Sequence, residues 1–202
     1  MTPFDHLIYG IAWLTFGWIH SALAGEAAKR RLAPLLGAKY RLAYNLFAAL
    51  HIALVVFGGQ AYLAGQAMAF AWPAEIDAVL WSVRGAGLAV LIGALTQYDL
   101  GRFGGLTQIR AAKRNQPAAE NEPLHLCGIH RYVRHPLYAG AYLLLWGGIQ
   151  DEFGLATALW GSVYLAIGTH FEERTLLRQH GAQYADYRNA VPALIPWKGR
   201  AI

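Results

Sequence analysis

The stretch AVLWSVRGAGLAVLIGALT, residues 78–96, carries a single charge, Arg84, among side chains that are otherwise apolar, small or weakly polar. A helix needs about 20 such residues to cross the hydrocarbon core of a bilayer, and Arg84 can reach an interface along its aliphatic stem. Four more stretches read the same way, at residues 7–23, 44–63, 137–149 and 153–171. Residues 137–149 are short for a span, and they pair with 153–171 as a tight helical hairpin turning at Gln150, Asp151 and Glu152. The first stretch starts with Asp5 and His6 in place of basic residues, and Gly25 opens no cleavage box, so it reads as a retained span and not a signal peptide.

Composition points the same way. The 202 residues are 56% hydrophobic and only 14% charged, whereas an average soluble domain is about a quarter charged. The expected fold is all-α, a polytopic membrane protein of about five transmembrane helices with a C-terminal amphipathic helix. One domain is expected over 1–202: three spans in 1–98, a cytoplasmic loop in 99–135, and a helical hairpin with a C-terminal helix in 136–202.

A net charge of +5 would ordinarily raise nucleic acid as a partner, but the positions of the basic residues give it another meaning. Lys29, Arg30, Arg31, Lys39 and Arg41 fall between the first two spans. Arg102, Arg110, Lys113, Arg114, Arg131 and Arg134 fall between the third and fourth, and Arg174, Arg178, Arg188, Lys198 and Arg200 follow the fifth. The opposite connections hold Glu75, Asp77, Asp151 and Glu152. By the positive-inside rule the N-terminus lies outside and the C-terminus in the cytoplasm of an inner membrane, with lipid as a partner and no nucleic acid needed. A single cysteine, Cys127, allows no intrachain disulfide and no CxxC metal site, and no metal is expected. The lone thiol reads as buried and inert.

Ionisable groups inside spans are costly and commonly face a cavity or a partner. His20 and His51 both fall in the inner halves of their spans. They read either as hydrogen-bonded packing residues, as the lining of a cytoplasm-facing pocket, or as a pair able to ligate haem. Gly85, Gly87, Gly93, Gly140, Gly147, Gly148 and Gly161 read as close-packing positions between helices. Residues 100–126 are polar and broken by Gly and Pro, and read as a long loop.

The chemistry is expected in GIHRYVRHPLYAG, residues 128–140, and HFEERTLL, residues 170–177, both on the cytoplasmic face. Pro136 suits the first turn of a helix, whose free N–H groups and dipole favour an anion. Glu172 and Glu173 follow the fifth span, opening a helix whose Leu176 and Leu177 would lie on the interface. A ligand with a carboxylate, an ammonium and an aromatic part fits such a site, and S-adenosylmethionine has all three; a phospholipid headgroup or a nucleotide fits parts of it.

The run Arg134-His135-Pro136-Leu137-Tyr138-Ala139-Gly140, the Glu172-Glu173 pair, and the tail residues Tyr184, Tyr187, Pro192, Ile195 and Pro196 resemble the motifs of the integral-membrane methyltransferases. That superfamily includes the isoprenylcysteine carboxyl and phospholipid methyltransferases. Residues 16–24 with His20-Ser21, and residues 39–45 with Tyr44-Asn45, resemble its bacterial branch of NnrU-like proteins and methanethiol S-methyltransferases; Tyr98 and Asp99 are similar to that branch as well. The resemblance implies cofactor contacts at Leu124, His125, His130, His135, Pro136, Leu137, Tyr138 and Glu172, and the charge pattern adds Arg134 and Glu173. It implies methylation of a small or lipophilic thiol with S-adenosylmethionine. Alternatives are a prenylcysteine carboxylate or phospholipid amine acceptor, or a haem-binding accessory protein of nitrogen-oxide metabolism. Prenylcysteine enzymes have an arginine about one turn before the glutamate; Gly168 stands there in this chain, which disfavours a carboxylate acceptor.

Transfer from a sulfonium needs chiefly positioning and exclusion of water. A thiol must also lose its proton, and His20, His51 and Asp99 are candidate catalytic bases. Tyr44, Asn45, Tyr98 and Arg131 are candidate substrate contacts, with Arg131 equally suited to a lipid phosphate. Tyr184, Tyr187 and Trp197 read as interfacial anchors.

Overall fold

The computed structural model describes residues 1–63, 65–117 and 123–198. Its helices are α1 (Pro3–Ala24), α2 (Glu26–Leu36), α3 (Tyr40–Ala53), α4 (Gly59–Leu63), α5 (Ala74–Leu95), α6 (Leu100–Gly104), α7 (Leu106–Lys113), α8 (Pro136–Gly147), α9 (Glu152–His180) and α10 (Ala182–Ala190). No strand occurs among the described residues, and the all-α, membrane-type reading holds. Three helical segments are long and apolar enough to cross a membrane: Pro3–Ala24, Glu26–Leu63 and Ala74–Leu95. The expected count of five is not met on these grounds. Helix α8 has 12 residues, about 18 Å at the helical rise. The apolar part of α9 is diluted by Gly, Ser, Thr and Tyr and runs on into charged residues.

The chain divides into two compact units, Met1–Gln66 with Tyr98–Pro123, and Ala67–Gln97 with Leu124–Ile202. In the first, Thr2 and Asp5 form a capping box at the start of α1, satisfying donors that a helix start leaves open. Tyr9, Trp13 and Phe16, at i, i+4 and i+7, are buried on one face of that helix, with successive rings edge to face. The Tyr40 hydroxyl donates to the Leu23 carbonyl, tying α3 to α1. Between α3 and α4 the helix widens to a π turn over Leu54–Gly58.

Residues 100–113 are helical where a loop is expected. The Asp99 carboxylate accepts from the Arg102 amide at 2.9 Å and caps α6. Gly105, at φ +93°, turns the chain into α7; a Cβ there would also meet the Leu42 amide nitrogen at 2.6 Å. Asp99 and Gly105 thus carry the helix-forming signal inside a stretch whose composition suggests a loop. Ala118, Ala119, Glu120, Asn121 and Glu122 of that expected loop, and Arg200 of the tail, lie outside the described residues.

In the second unit α5 and α8 meet along a glycine seam. A Cβ at Gly87 would lie 2.6 Å from the Leu144 nitrogen, at Gly140 2.9 Å from the Gly87 oxygen, and at Gly147 2.4 Å from the Arg84 nitrogen. Gly85 and Gly93, expected to pack likewise, face open space. The α8–α9 turn falls at Gln150 and Asp151, as the sequence suggests. The Trp72 indole donates to the Ile149 carbonyl at 2.8 Å, the Gln150 amide to Asp77 at 3.0 Å, and Asp151 caps α9 through the Gly154 amide.

Residues beyond Phe171 continue α9 without a break, and Leu176 and Leu177 pack on a core of Tyr184, Tyr187 and Val191, not on the lipid interface. Those two tyrosines are 1% and 6% exposed, so they are core residues and not interfacial anchors; Trp197 is exposed.

Seam packing predicts that Gly140→Leu lowers stability by about 2 kcal/mol or more, since the new side chain must push two backbones apart. Gly93→Leu should leave the melting temperature in detergent unchanged. Thermal unfolding of both variants beside the wild type measures the difference.

Candidate active site

Helix α8 starts where Pro136 supplies a fixed φ and needs no N–H partner. No side chain caps its first turn, and His135 occupies the N-cap position. Two backbone bonds anchor this entrance to the tail, from the Arg134 amide to the Pro192 carbonyl at 2.9 Å and from the His135 amide to the Ala193 carbonyl at 3.0 Å.

Arg134 and His135 converge on α9. Arg134 donates from Nε to Glu173 Oε1 at 3.0 Å and also from Nη2, while its Nη1 donates to the carbonyls of Arg188, at 3.0 Å, and Val191. His135 Nε2 lies 3.2 Å from the same Glu173 oxygen. His135 is buried and Glu173 mostly so. The hydrogen bond from His135, then the bond and charge of Arg134, hold the Glu173 carboxyl at about 2 against the burial that opposes ionisation. Glu173 is therefore engaged on the protein side. Glu172, with its side chain 44% exposed, stands 3.9 Å from His135 Nδ1. The Tyr138 ring stacks on His135 at 5.6 Å and 17°. A Cβ at Gly168 would lie 3.7 Å from the Tyr138 hydroxyl, an ordinary van der Waals contact, which places that glycine beside the tyrosine.

The approach to α8 is a 3-10 turn over Gly128–Arg131. His130 is 3% exposed, and its carbonyl accepts from the Tyr187 hydroxyl at 2.6 Å. Burial, helped by the nearby charges of His125 and His135, pulls the His130 imidazole down to about 4. Its ring lies 5.7 Å from that of His125. Leu124, His125, Cys127 and Arg131 line an open cavity of about 490 Å3. Cys127 is exposed and not buried as expected, because it lies on the wall of this open cavity. Burial pushes the Tyr184 phenol up to about 12, with the Glu173 charge adding to the effect.

Second-unit candidates thus form two groups: Arg134, His135, Tyr138, Glu172 and Glu173 around the start of α8 with Pro136 and Leu137, and Leu124, His125, His130 and Arg131 before it. Residues not singled out as partners, Tyr187, Pro192 and Ala193, hold both in place. Their only trace in sequence is the spacing of Tyr184 and Tyr187 before a proline.

The remaining candidates belong to the first unit. The Tyr44 hydroxyl and His20 Nε2 are 2.7 Å apart. Asn45 donates to the Phe103 carbonyl at 2.8 Å, Tyr98 packs on the Phe103 ring at 6.0 Å, and Asp99 caps α6 as above. His51 and His20 both contact the Phe16 ring, at 5.4 and 5.5 Å between centroids. A haem held by both imidazoles would have to displace that ring.

Among curated proteins, the chain is 33% identical over 123 residues to the methanethiol S-methyltransferase of Mycobacterium tuberculosis, covering 60% of this chain and 50% of that protein. It is 39% identical over 72 residues to the protein of that name from Crocosphaera subtropica, covering 35% of this chain and 28% of that one. It is 41% identical over 69 residues to methanethiol S-methyltransferase 2 of Bradyrhizobium diazoefficiens, covering 34% and 27%. These relatives agree with the branch of membrane methyltransferases that the motifs resemble. The chain spans half or less of the length of these three proteins. No family model matches the chain, and no solved structure does.

Two groups of this site with depressed pKa values contribute to the acid response. His130, lowered from 6.5 to about 4, contributes stability that is present above pH 6.5 and lost as the pH falls toward 4. Glu173, lowered from 4.5 to about 2, contributes stability present above pH 4.5 and lost toward pH 2. The melting temperature of the detergent-solubilised protein should fall between pH 6.5 and 4, and His130→Asn should remove about one proton of that dependence.

Proposed function

We propose that the chain is an S-adenosylmethionine-dependent integral-membrane methyltransferase acting on a small thiol of the methanethiol type, with its cofactor site at the cytoplasmic face of an inner membrane and its N-terminus outside. The observation that carries this reading is the division of labour between the two glutamates. Glu173 is taken up by Arg134 and His135, and Glu172 beside it remains largely exposed.

The donor set fits the cofactor. With its Nε2 proton directed at the Glu173 carboxylate, a neutral His135 carries a lone pair on Nδ1. That atom and the Glu172 carboxylate are then two acceptors facing one another, an arrangement that favours an ammonium group in reach of both. The uncapped first turn of α8 at Leu137 favours a carboxylate. Tyr138, on its His135 support, and the cavity beside Leu124 and His125 offer surfaces for an aromatic ring. S-adenosylmethionine supplies a methyl group already activated on a sulfonium, so the protein has only to hold the reactants in line and keep water out.

For the acceptor, the thiol of the relatives' name is the reading adopted. Gly168 places no cation beside Tyr138 to meet a carboxylate substrate, which favours a neutral thiol over a prenylcysteine carboxylate. The thiol proton must pass to a base, and His20, His51 and Asp99 remain the candidates. Asp99 is committed to its helix cap and His20 to Tyr44, which favours His51. The single domain expected over the chain is proposed to work as one enzyme.

Calorimetric titration with S-adenosylmethionine tests the site: the wild type should bind, with at least tenfold weaker affinity in Glu172→Gln and in Tyr138→Ala. Transfer of label from methyl-labelled cofactor to methanethiol, giving dimethyl sulfide, tests the reaction. Unchanged affinity in both variants would refute the site assignment.

A further inference from the structure

Residues 26–41 and 98–114 hold nine basic side chains against two acidic ones, Glu26 and Asp99, and Asp99 is spent on the cap of α6. The fold of the first unit gathers them at one end. The 3-10 turn over Gly37–Lys39 packs on both α2 and α7. Arg41 donates from Nη1 to the Arg102 carbonyl at 3.1 Å, across 61 residues of sequence, and the Gln108 amide donates to the same carbonyl at 3.2 Å. A segment whose composition reads as a loop is thereby built into a helical surface beside α2.

Six of the cations, Arg30, Arg31, Lys39, Arg110, Lys113 and Arg114, are exposed, and none of the six pairs with a carboxylate among the described residues. On α2, Arg30, Arg31, Pro34 and Leu35 share the outward face, opposite the half-buried Leu32 and Ala33. On α7, Leu106, Arg110 and Lys113 recur at i, i+4 and i+7. Leu35 is 81% exposed, and Leu106 is exposed as well. Each helix therefore turns cations and a leucine outward together. Like charges gathered this way raise a positive potential that an anionic partner lowers. An acidic protein or a nucleic acid would answer the charges and leave the leucines among polar groups. A bilayer surface rich in anionic headgroups answers both, with phosphates at the cations and acyl chains at the leucines. The surface also stands where α1 ends and the Glu26–Leu63 segment begins, the level at which such helices leave the hydrocarbon.

We propose that α2 and α7, joined by the 3-10 turn between them, form a docking surface for the anionic phospholipid headgroups of the leaflet that this end of the unit faces. A topological charge bias requires only that basic residues lie on one side of the membrane. Two outward faces that combine cations with leucines, drawn together from distant parts of the chain, form a surface that distinguishes one headgroup from another. Nothing in it depends on the methyltransferase reading.

Native mass spectrometry of the full chain in a neutral detergent, with phosphatidylglycerol and phosphatidylcholine of matched acyl chains as probes, tests the proposal. The wild type should bind phosphatidylglycerol about tenfold more tightly than phosphatidylcholine. In a melting assay, phosphatidylglycerol should raise the melting temperature more than phosphatidylcholine does, and that difference should shrink as salt is raised from about 0.1 M to about 1 M. Arg110→Gln, Lys113→Gln and Arg114→Gln combined should weaken phosphatidylglycerol binding about tenfold, and Arg30→Gln with Arg31→Gln should weaken it as well. Arg110→Lys with Arg114→Lys, which keeps the charge, should bind as the wild type does. The melting temperature of each variant without lipid reports its folding. Equal affinity of the wild type for the two lipids, or unchanged phosphatidylglycerol affinity in either charge-removing variant, overturns the proposal. A poly-glutamate peptide bound more tightly than phosphatidylglycerol would overturn it in favour of an acidic protein partner.

Discussion

A buried carboxylate is stable only when its charge is answered by donors, and Glu173 has three: Nε and Nη2 of Arg134, and Nε2 of His135. This cluster joins the start of α8 to α9, and through the remaining Arg134 donor to the carbonyls that end α10. The Arg134 side chain thereby fixes the start of α8 to α9 and to α10, through partners 39 and 54 residues further along the chain. Removing Arg134 would leave the Glu173 charge with His135 as its one remaining donor and no cation beside it, which costs far more than the pair contributes as an isolated bond.

The same cluster sorts two adjacent residues into different tasks. Helical geometry turns Glu172 and Glu173 about 100° apart around α9, so one points into the protein and the other outward. Sequence alone treats them as an equivalent pair, and both are expected to contact the cofactor. What separates them is the position of Arg134, which no local pattern reveals.

Much of the fold is legible from hydropathy, because lipid imposes the same length and polarity rule on every spanning helix. The all-α class and the turn at Gln150 and Asp151 follow from that rule. The span count does not, since α8 falls below the length limit and α9 mixes its apolar residues with polar ones. Residues 100–113 are misread because their helix signals are a cap at Asp99 and a left-handed Gly105, features that average composition hides. Tyr184 and Tyr187 have the side chains of interfacial anchors, yet a hydroxyl bond to the His130 carbonyl and packing on Leu176 and Leu177 place them in a core. Of the site, the Arg134–His135 and Glu172–Glu173 segments stand out as motifs. The tail carbonyls of Pro192 and Ala193 act through the backbone and leave no mark in side-chain chemistry.

The π turn over Leu54–Gly58 is in effect one residue too many for a regular helix. Relative to the same residues wound as a regular α-helix, the wider turn rotates everything downstream by about 100° around the axis, so it sets which side chains after it look toward α1. Deleting a single residue there would let the backbone hydrogen bonding relax to the ordinary pattern and leave Tyr62 and Leu63 near their present azimuth, because the turn absorbs one residue. The segment works as a phase shifter: the wider turn is the means by which the far end of this helix is aimed.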